Sequence, residues 1–137
     1  MTNLLFVYGT LLQPGNAFAR HLMQNCTFIS TGKIKGTLYD IGEYPGLVIN
    51  SDINYVNGRI YKLHNPEENL KVIDDYEGVG PGQQQPNLYI RQLEAIETED
   101  GTLEAWVYLY NLPIAGLPII PSGNYVDYKA QKKSPGS

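Results

Sequence analysis

The chain has one cysteine, one tryptophan and two histidines among its 137 residues, and these scarcities exclude several classes of protein. A single thiol, Cys26, cannot form an internal disulfide, so a disulfide-stapled fold is excluded. The sequence contains neither a CxxC pair nor a cysteine–histidine cluster, which argues against zinc. We therefore expect no metal, and a reducing compartment, the cytoplasm, as the location.

Long apolar runs and excess positive charge are also missing. The first apolar run extends only over residues 4–8, which is too short for a signal peptide or a membrane span. Ten Lys and Arg against 14 Asp and Glu give a net charge of −4, and a surface of that sign repels phosphate backbones. We expect neither a membrane nor nucleic acid as a partner.

The length suits one domain that buries its own core. No linker or internal repeat divides the chain, so we expect a single domain over residues 1–128. The last nine residues, KAQKKSPGS over 129–137, are polar and are predicted to be disordered.

The spacing of apolar residues predicts five or six strands and two helices. The predicted strands cover residues 4–8, 27–39, 47–49, 55–63, 88–98 and 102–111, and the predicted helices cover 17–24 and 66–77. Most strands are joined as hairpins, as across the tight turn at residues 99–101. The sum predicts an α+β protein: a small mixed or antiparallel β-barrel flanked by helices.

The turn that ends the first strand is the first candidate site. Gly9, Thr10 and Leu11 follow Tyr8 directly. A strand that ends in such a turn leaves backbone N–H groups pointing the same way, able to hold a small anion or an oxyanion. The same residues would equally suit an ordinary strand–turn–helix corner.

The second candidate is the end of the helix predicted over residues 66–77. At about 100° per residue, Leu70, Val72, Ile73 and Tyr76 form an apolar arc of roughly 160°. Glu77 falls inside this arc, and the other acidic residues of the helix fall outside it. An inward carboxylate at a helix C-terminus is disfavoured by burial and by the helix dipole, so its pKa is expected to rise. Alternatively, the last turn frays at Gly78 and the side chain turns to solvent.

Six short segments, in order, resemble the γ-glutamylcyclotransferase-like family, and within it the γ-glutamylamine cyclotransferase and AIG2-like branch. They are FVYGTL at 6–11, GTLYDIGEYPGLV at 36–48, VIDDYEG at 72–78, LYIR at 88–91, AWVYLY at 105–110 and SGNY at 122–125. The resemblance implies a compact barrel with one site that cyclises a γ-glutamyl group to 5-oxoproline and releases the attached amine or peptide.

The same resemblance implies roles for individual residues. Tyr8, Gly9, Thr10 and Leu11 match the YGTL substrate-binding loop, Glu77 matches the catalytic glutamate, and Tyr125 matches an aromatic substrate-binding position. The loop at residues 79–87 is longer than the corresponding family segment. The resemblance therefore does not identify the amine or peptide that is attached to the γ-glutamyl group.

The implied reaction is chemically simple. The α-amine of a γ-glutamyl amide is tethered to the carbonyl that it attacks, so no serine or cysteine nucleophile is needed. One carboxyl of raised pKa can act as base and then as acid, and no cofactor is required. The alternative is a domain that binds a small amino-acid-like ligand without turning it over. The oligomeric state is open.

Overall fold

A computed structural model describes residues 2–8, 20–21, 24–41, 45–50, 54–83 and 85–120. Its strands are β1 (Leu4–Val7), β2 (Cys26–Asp40), β3 (Pro45–Ile49), β4 (Tyr55–Leu63), β5 (Tyr89–Thr98) and β6 (Gly101–Tyr110), and helix α1 spans Pro66–Glu77. Residues 20–21 and 24–25 are also helical, whereas most of the helix predicted over 17–24 lies outside the described residues. No helix in the described ranges is both long and apolar enough to cross a bilayer.

Five of the strands close into a barrel. The strand order is β3-β2-β4-β1-β6-β5, and β5 returns to β2 through the pair Lys33 and Glu97. β3 pairs with β2 alongside this ring. The β1–β6 pair is parallel and the other pairs are antiparallel, so the barrel is mixed. The α+β barrel predicted from the sequence is confirmed.

Two apolar clusters occupy the two faces of the barrel wall. Alternate residues of a strand point to opposite faces, so Phe6 and Tyr8 join one cluster while Leu5 and Val7 join the other. The first cluster fills the barrel: Phe6, Tyr8, Ile34, Leu38, Leu47, Val56, Ile60, Ile96, Ala105, Val107, Leu109 and Ile120. The second joins the wall to α1: Leu5, Val7, Cys26, Leu63, Leu70, Ile73, Tyr89 and Tyr108. Both faces of β1 and of β6 are therefore covered, as their sequences predict.

Gly58 lets β4 approach β1 closely. A Cβ atom at this position would collide with the carbonyl oxygen of Val7 and lie 2.7 Å from the ring of Phe6. Because the colliding oxygen belongs to the backbone, a larger residue cannot be accommodated by a side-chain rotation. A bulge lies on β2, where the register with β4 shifts between Phe28 and Ser30.

The buried face of α1 differs from the predicted arc. Asn69, Leu70 and Ile73 are buried, but Val72 is 45% exposed, so its predicted inward position is wrong. The buried face is rotated away from Val72 and towards Asp74, whose carboxylate contacts Arg91 and Tyr108.

The Asn69 amide fits this position because its hydrogen-bonding groups are satisfied. Its Nδ2 donates to the carbonyl oxygens of Asn25 at 3.0 Å and His64 at 3.2 Å, and its Oδ1 accepts from His21 Nε2 at 2.6 Å. The sequence alone suggests that His21 faces solvent; it is half-buried in this network instead.

Candidate active site

The last turn of α1 is held by a backbone cap and does not fray. Gly78 adopts a left-handed conformation with φ 72° and ψ 33°. Its N–H donates to the carbonyl of Asp75 at 3.3 Å, and the next N–H, of Val79, donates to the carbonyl of Asp74 at 2.9 Å. This pair of bonds is the Schellman arrangement, which glycine favours because it has no Cβ. The cap keeps Glu77 helical and fixes the direction of its side chain.

Glu77 lies half-buried at the C-terminal end of α1. Its carboxylate makes no hydrogen bond or ion pair with any residue that the structure describes, and the last turn of the helix has no basic residue. Burial raises the pKa of Glu77 from its ordinary value of 4.5 to about 7. A carboxyl group with this pKa can take up and return a proton near neutral pH.

Two buried tyrosines lie near this carboxylate. Burial chiefly, and then the charges of Tyr89 and Glu77, raise the pKa of Tyr8. Glu77 also contributes to the raised pKa of Tyr108, after burial and Asp74. The charge of Glu77 therefore acts on both tyrosines. Tyr108 also links the end of β1 to α1, because its carbonyl oxygen accepts from Tyr8 and its hydroxyl donates to Asp74.

The tyrosine hydroxyls near Glu77 donate to other acceptors. Tyr8 donates to the carbonyl oxygen of Tyr108 at 2.5 Å and accepts from the N–H of Leu47 at 3.3 Å. Tyr89 donates to the carbonyl oxygen of Pro45 at 2.6 Å. These bonds tie β1, β3, β5 and β6 together at one end of the barrel.

A second carboxylate, Asp74, faces the barrel and is neutralised. Arg91 donates from Nε at 2.8 Å and from a terminal nitrogen at 3.1 Å to its two oxygens, and Tyr108 donates its hydroxyl to Oδ1 at 2.6 Å. The guanidinium also stacks over the ring of Trp106, 4.3 Å from its centroid. The prediction that Glu77 is the only acidic residue of α1 that faces inward is therefore wrong in part, because Asp74 faces inward as well. Of these two inward carboxylates, only Asp74 is paired with a cation among the described residues.

Of the predicted site residues, the structure describes Tyr8 and Glu77, and the charge of Glu77 acts on Tyr8. Gly9, Thr10, Leu11 and Tyr125 lie outside the described residues. Sequence reasoning assigned no role to Asp74, Arg91 and Tyr108. The available signal was their presence in the segments VIDDYEG, LYIR and AWVYLY. Their pairing is invisible in the sequence because they come from three separate elements.

The described residues hold no group of three or more His, Cys, Asp or Glu side chains placed to bind a metal ion. What they do hold is a proton-accepting carboxyl, Glu77, whose charge acts on Tyr8 at the end of β1. This combination can serve a reaction that needs one group to remove and return a proton.

Comparison with known proteins identifies the family. The family model described as "Gamma-glutamyl cyclotransferase, AIG2-like" matches residues 5–127. The chain belongs to this family. The gamma-glutamylcyclotransferase family protein YtfP of Citrobacter rodentium is 36% identical over 125 residues, which cover 90% of this chain and 95% of that protein. Family membership supports γ-glutamylcyclotransferase-like activity.

Solved structures of similar proteins share the fold. The solution structure of YtfP from Escherichia coli is 32% identical, with a TM-score of 0.64, and the match covers 92% of this chain and 98% of that one. The crystal structure of YkqA from Bacillus subtilis is 28% identical, with a TM-score of 0.74 over 99% of this chain. The chain spans only 44% of YkqA. The mixed barrel with its helix is thus the fold of this cyclotransferase-like family.

Proposed function

We propose that this protein is a γ-glutamyl cyclotransferase that releases 5-oxoproline and a free amine or peptide from a γ-glutamyl amide. The observation that carries the proposal is Glu77: a half-buried carboxyl, with a pKa near 7, that has no hydrogen-bond or ion-pair partner among the described residues and whose charge acts on Tyr8. A carboxylate left unpaired in such a place is costly to keep. General acid–base catalysis gives it a use.

In the proposed reaction the substrate supplies its own nucleophile. Its α-ammonium group loses a proton to Glu77, and the freed amine attacks the γ-carbonyl carbon to form the ring C–N bond. The bond from that carbon to the leaving nitrogen then breaks, and Glu77 returns its proton to this nitrogen. The ring nitrogen loses its second proton to the released amine, so the products are 5-oxoproline and an ammonium ion. Glu77 ends the cycle ionised, as it began, and no cofactor is consumed.

Tyr8 connects this acid to the proposed substrate loop. Gly9, Thr10 and Leu11 follow Tyr8 in the chain, and we assign substrate binding to these residues and to Tyr125. Backbone N–H groups of a glycine turn suit the α-carboxylate or the carbonyl oxygen of a γ-glutamyl group. Support for these roles comes from the motif positions and from the closeness of Tyr8 to Glu77.

The direct test is a panel of γ-glutamyl amines and γ-glutamyl dipeptides scored for 5-oxoproline. Glu77→Gln keeps the shape of the side chain and removes its basicity, so release is expected to fall by at least about 100-fold, the lower bound for general-base catalysis. The matched control is Asp75→Asn, which makes the same charge change on the exposed side of α1. Full activity in Glu77→Gln would refute the assigned role. Binding of 5-oxoproline by the wild type without turnover of any substrate would favour a binding domain.

A further inference from the structure

The Tyr108 hydroxyl donates to Asp74, one of two carboxylates that share a side of α1. Asp74 and Glu77 are three residues apart, so their side chains lie on neighbouring turns of one side, with about 5–6 Å between Cβ atoms. The hydroxyl of Tyr108 donates to Asp74 Oδ1 at 2.6 Å. It also lies close enough to Glu77 for the charge of that residue to act on it.

A tyrosine hydroxyl has one proton to donate. Burial and the bond to Asp74 raise the pKa of Tyr108, so this proton stays on the hydroxyl at neutral pH. While it is donated to Asp74, it cannot be donated to Glu77. A hydrogen bond to an ionised carboxylate favours the ionised form, so donation to Glu77 would make that residue a weaker base.

Arg91 orients the carboxylate of Asp74. Its two nitrogens contact the two oxygens of Asp74, and its guanidinium is stacked on Trp106. The bidentate geometry fixes the carboxylate plane, leaving Oδ1 placed for Tyr108. Tyr8, on which the charges of Glu77 and Tyr89 act, donates its hydroxyl to a backbone carbonyl, and so does Tyr89.

We propose that Asp74, oriented by Arg91, is a positioning residue for Glu77: by accepting the hydroxyl proton of Tyr108, it keeps that hydroxyl from donating to the Glu77 carboxylate. Asp74 touches no reacting atom in this scheme. The importance of Asp74 for catalysis rests on the proposed function. Its effect on the protonation of Glu77 can be measured without any turnover.

The experiment follows the protonation of Glu77 directly, by a carbon NMR titration of side-chain carboxyl groups. The signal that is missing from the spectrum of Glu77→Gln is assigned to Glu77. In Asp74→Ala the hydroxyl of Tyr108 loses its acceptor and turns to Glu77. The titration midpoint of Glu77 is then expected to fall by at least about one pH unit. The matched control is Asp75→Ala, which removes an exposed carboxylate from the same helix and leaves the midpoint in place.

The double variant Asp74→Ala/Tyr108→Phe separates the hydroxyl from the charges. Both Asp74 variants leave Arg91 without its partner, so the difference between them reports the hydroxyl alone. In the double variant, the titration midpoint of Glu77 is expected to regain at least half of the decrease seen in Asp74→Ala. An unchanged midpoint in Asp74→Ala, or a fall that persists in full in the double variant, would overturn the proposal. If Asp74→Ala does not fold, Asp74→Asn tests the same direction, because a neutral amide oxygen is a weaker acceptor than a carboxylate.

The acid limb of the pH–activity profile provides the second readout. It is expected to move with the NMR midpoint in each variant, which a purely structural role of Asp74 would not produce. If the wild type releases no 5-oxoproline from any substrate, the proposed function fails. The NMR comparison then still decides whether Asp74 holds the Tyr108 proton.

Discussion

Replacing Glu77 by glutamine is expected to stabilise the protein at neutral and alkaline pH while it lowers the rate of 5-oxoproline release. A folded-state pKa raised above the unfolded value means that the folded protein binds the proton more tightly than the unfolded chain does. Ionising Glu77 therefore costs stability in the folded state. The cost is absent below the unfolded pKa of 4.5, grows as pH rises towards the folded pKa of about 7, and is constant above it.

The size of the effect follows from the two pKa values. The rise from 4.5 to about 7 corresponds to about 3 kcal/mol, at about 1.36 kcal/mol for each pH unit. Because Glu77 is half-buried and partly screened by solvent, we expect about 2–3 kcal/mol at about pH 8. For a domain of this size, that gain corresponds to an increase in Tm of roughly 6–10 °C.

Urea unfolding of the wild type and of Glu77→Gln, from about pH 4 to about pH 8, measures this difference. The two proteins should have similar free energies of unfolding at the acid end, and the variant should gain steadily between about pH 4.5 and about pH 7. Asp75→Asn, which changes the same charge at an exposed site, should show no such gain. A difference between wild type and Glu77→Gln that does not change with pH would refute the conclusion that burial raises the pKa of Glu77.

Three further predictions concern the site and the fold. The acid limb of the kcat/KM profile for 5-oxoproline release should have its midpoint near 7, because the base must be ionised to accept the α-ammonium proton; a midpoint near 4.5 would contradict the raised pKa of Glu77. Gly58→Ala should lower the free energy of unfolding in urea by about 2 kcal/mol or more, because its Cβ would collide with the backbone of β1. Gly82→Ala, whose Cβ would have no atoms within 4 Å, should change that free energy by no more than about 0.5 kcal/mol. Ile73→Ala should lower the free energy of unfolding in urea by about 2–5 kcal/mol, because Ile73 is fully buried. Val72→Ala should lower it by less than about 1 kcal/mol, because Val72 is 45% exposed. Equal losses would contradict the observed rotation of α1.

The features that depend on neighbouring residues could be predicted from the sequence. Pro66 near the start of α1 and Gly78 at its end mark the helix, and the structure confirms both ends. The alternation along β6 predicts two covered faces, and the structure assigns them to the barrel interior and to the α1 side. The position of Glu77 within the buried arc also follows from helical spacing. All of these are short-range consequences of backbone geometry and side-chain period.

Tertiary structure alone decided which strands close the barrel and which acid keeps its charge unpaired. The pair between β2 and β5 joins Lys33 to Glu97, far apart in the chain, and no local pattern encodes it. Helical spacing placed Asp74 outside the apolar arc, on the side expected to face solvent. Asp74 is half-buried in the structure because Arg91, from β5, pairs with its charge, and helical spacing carries no information about residues on other elements. The physical reason is that desolvation and charge pairing depend on groups brought together from distant parts of the chain, whereas secondary structure depends mainly on residues a few positions apart.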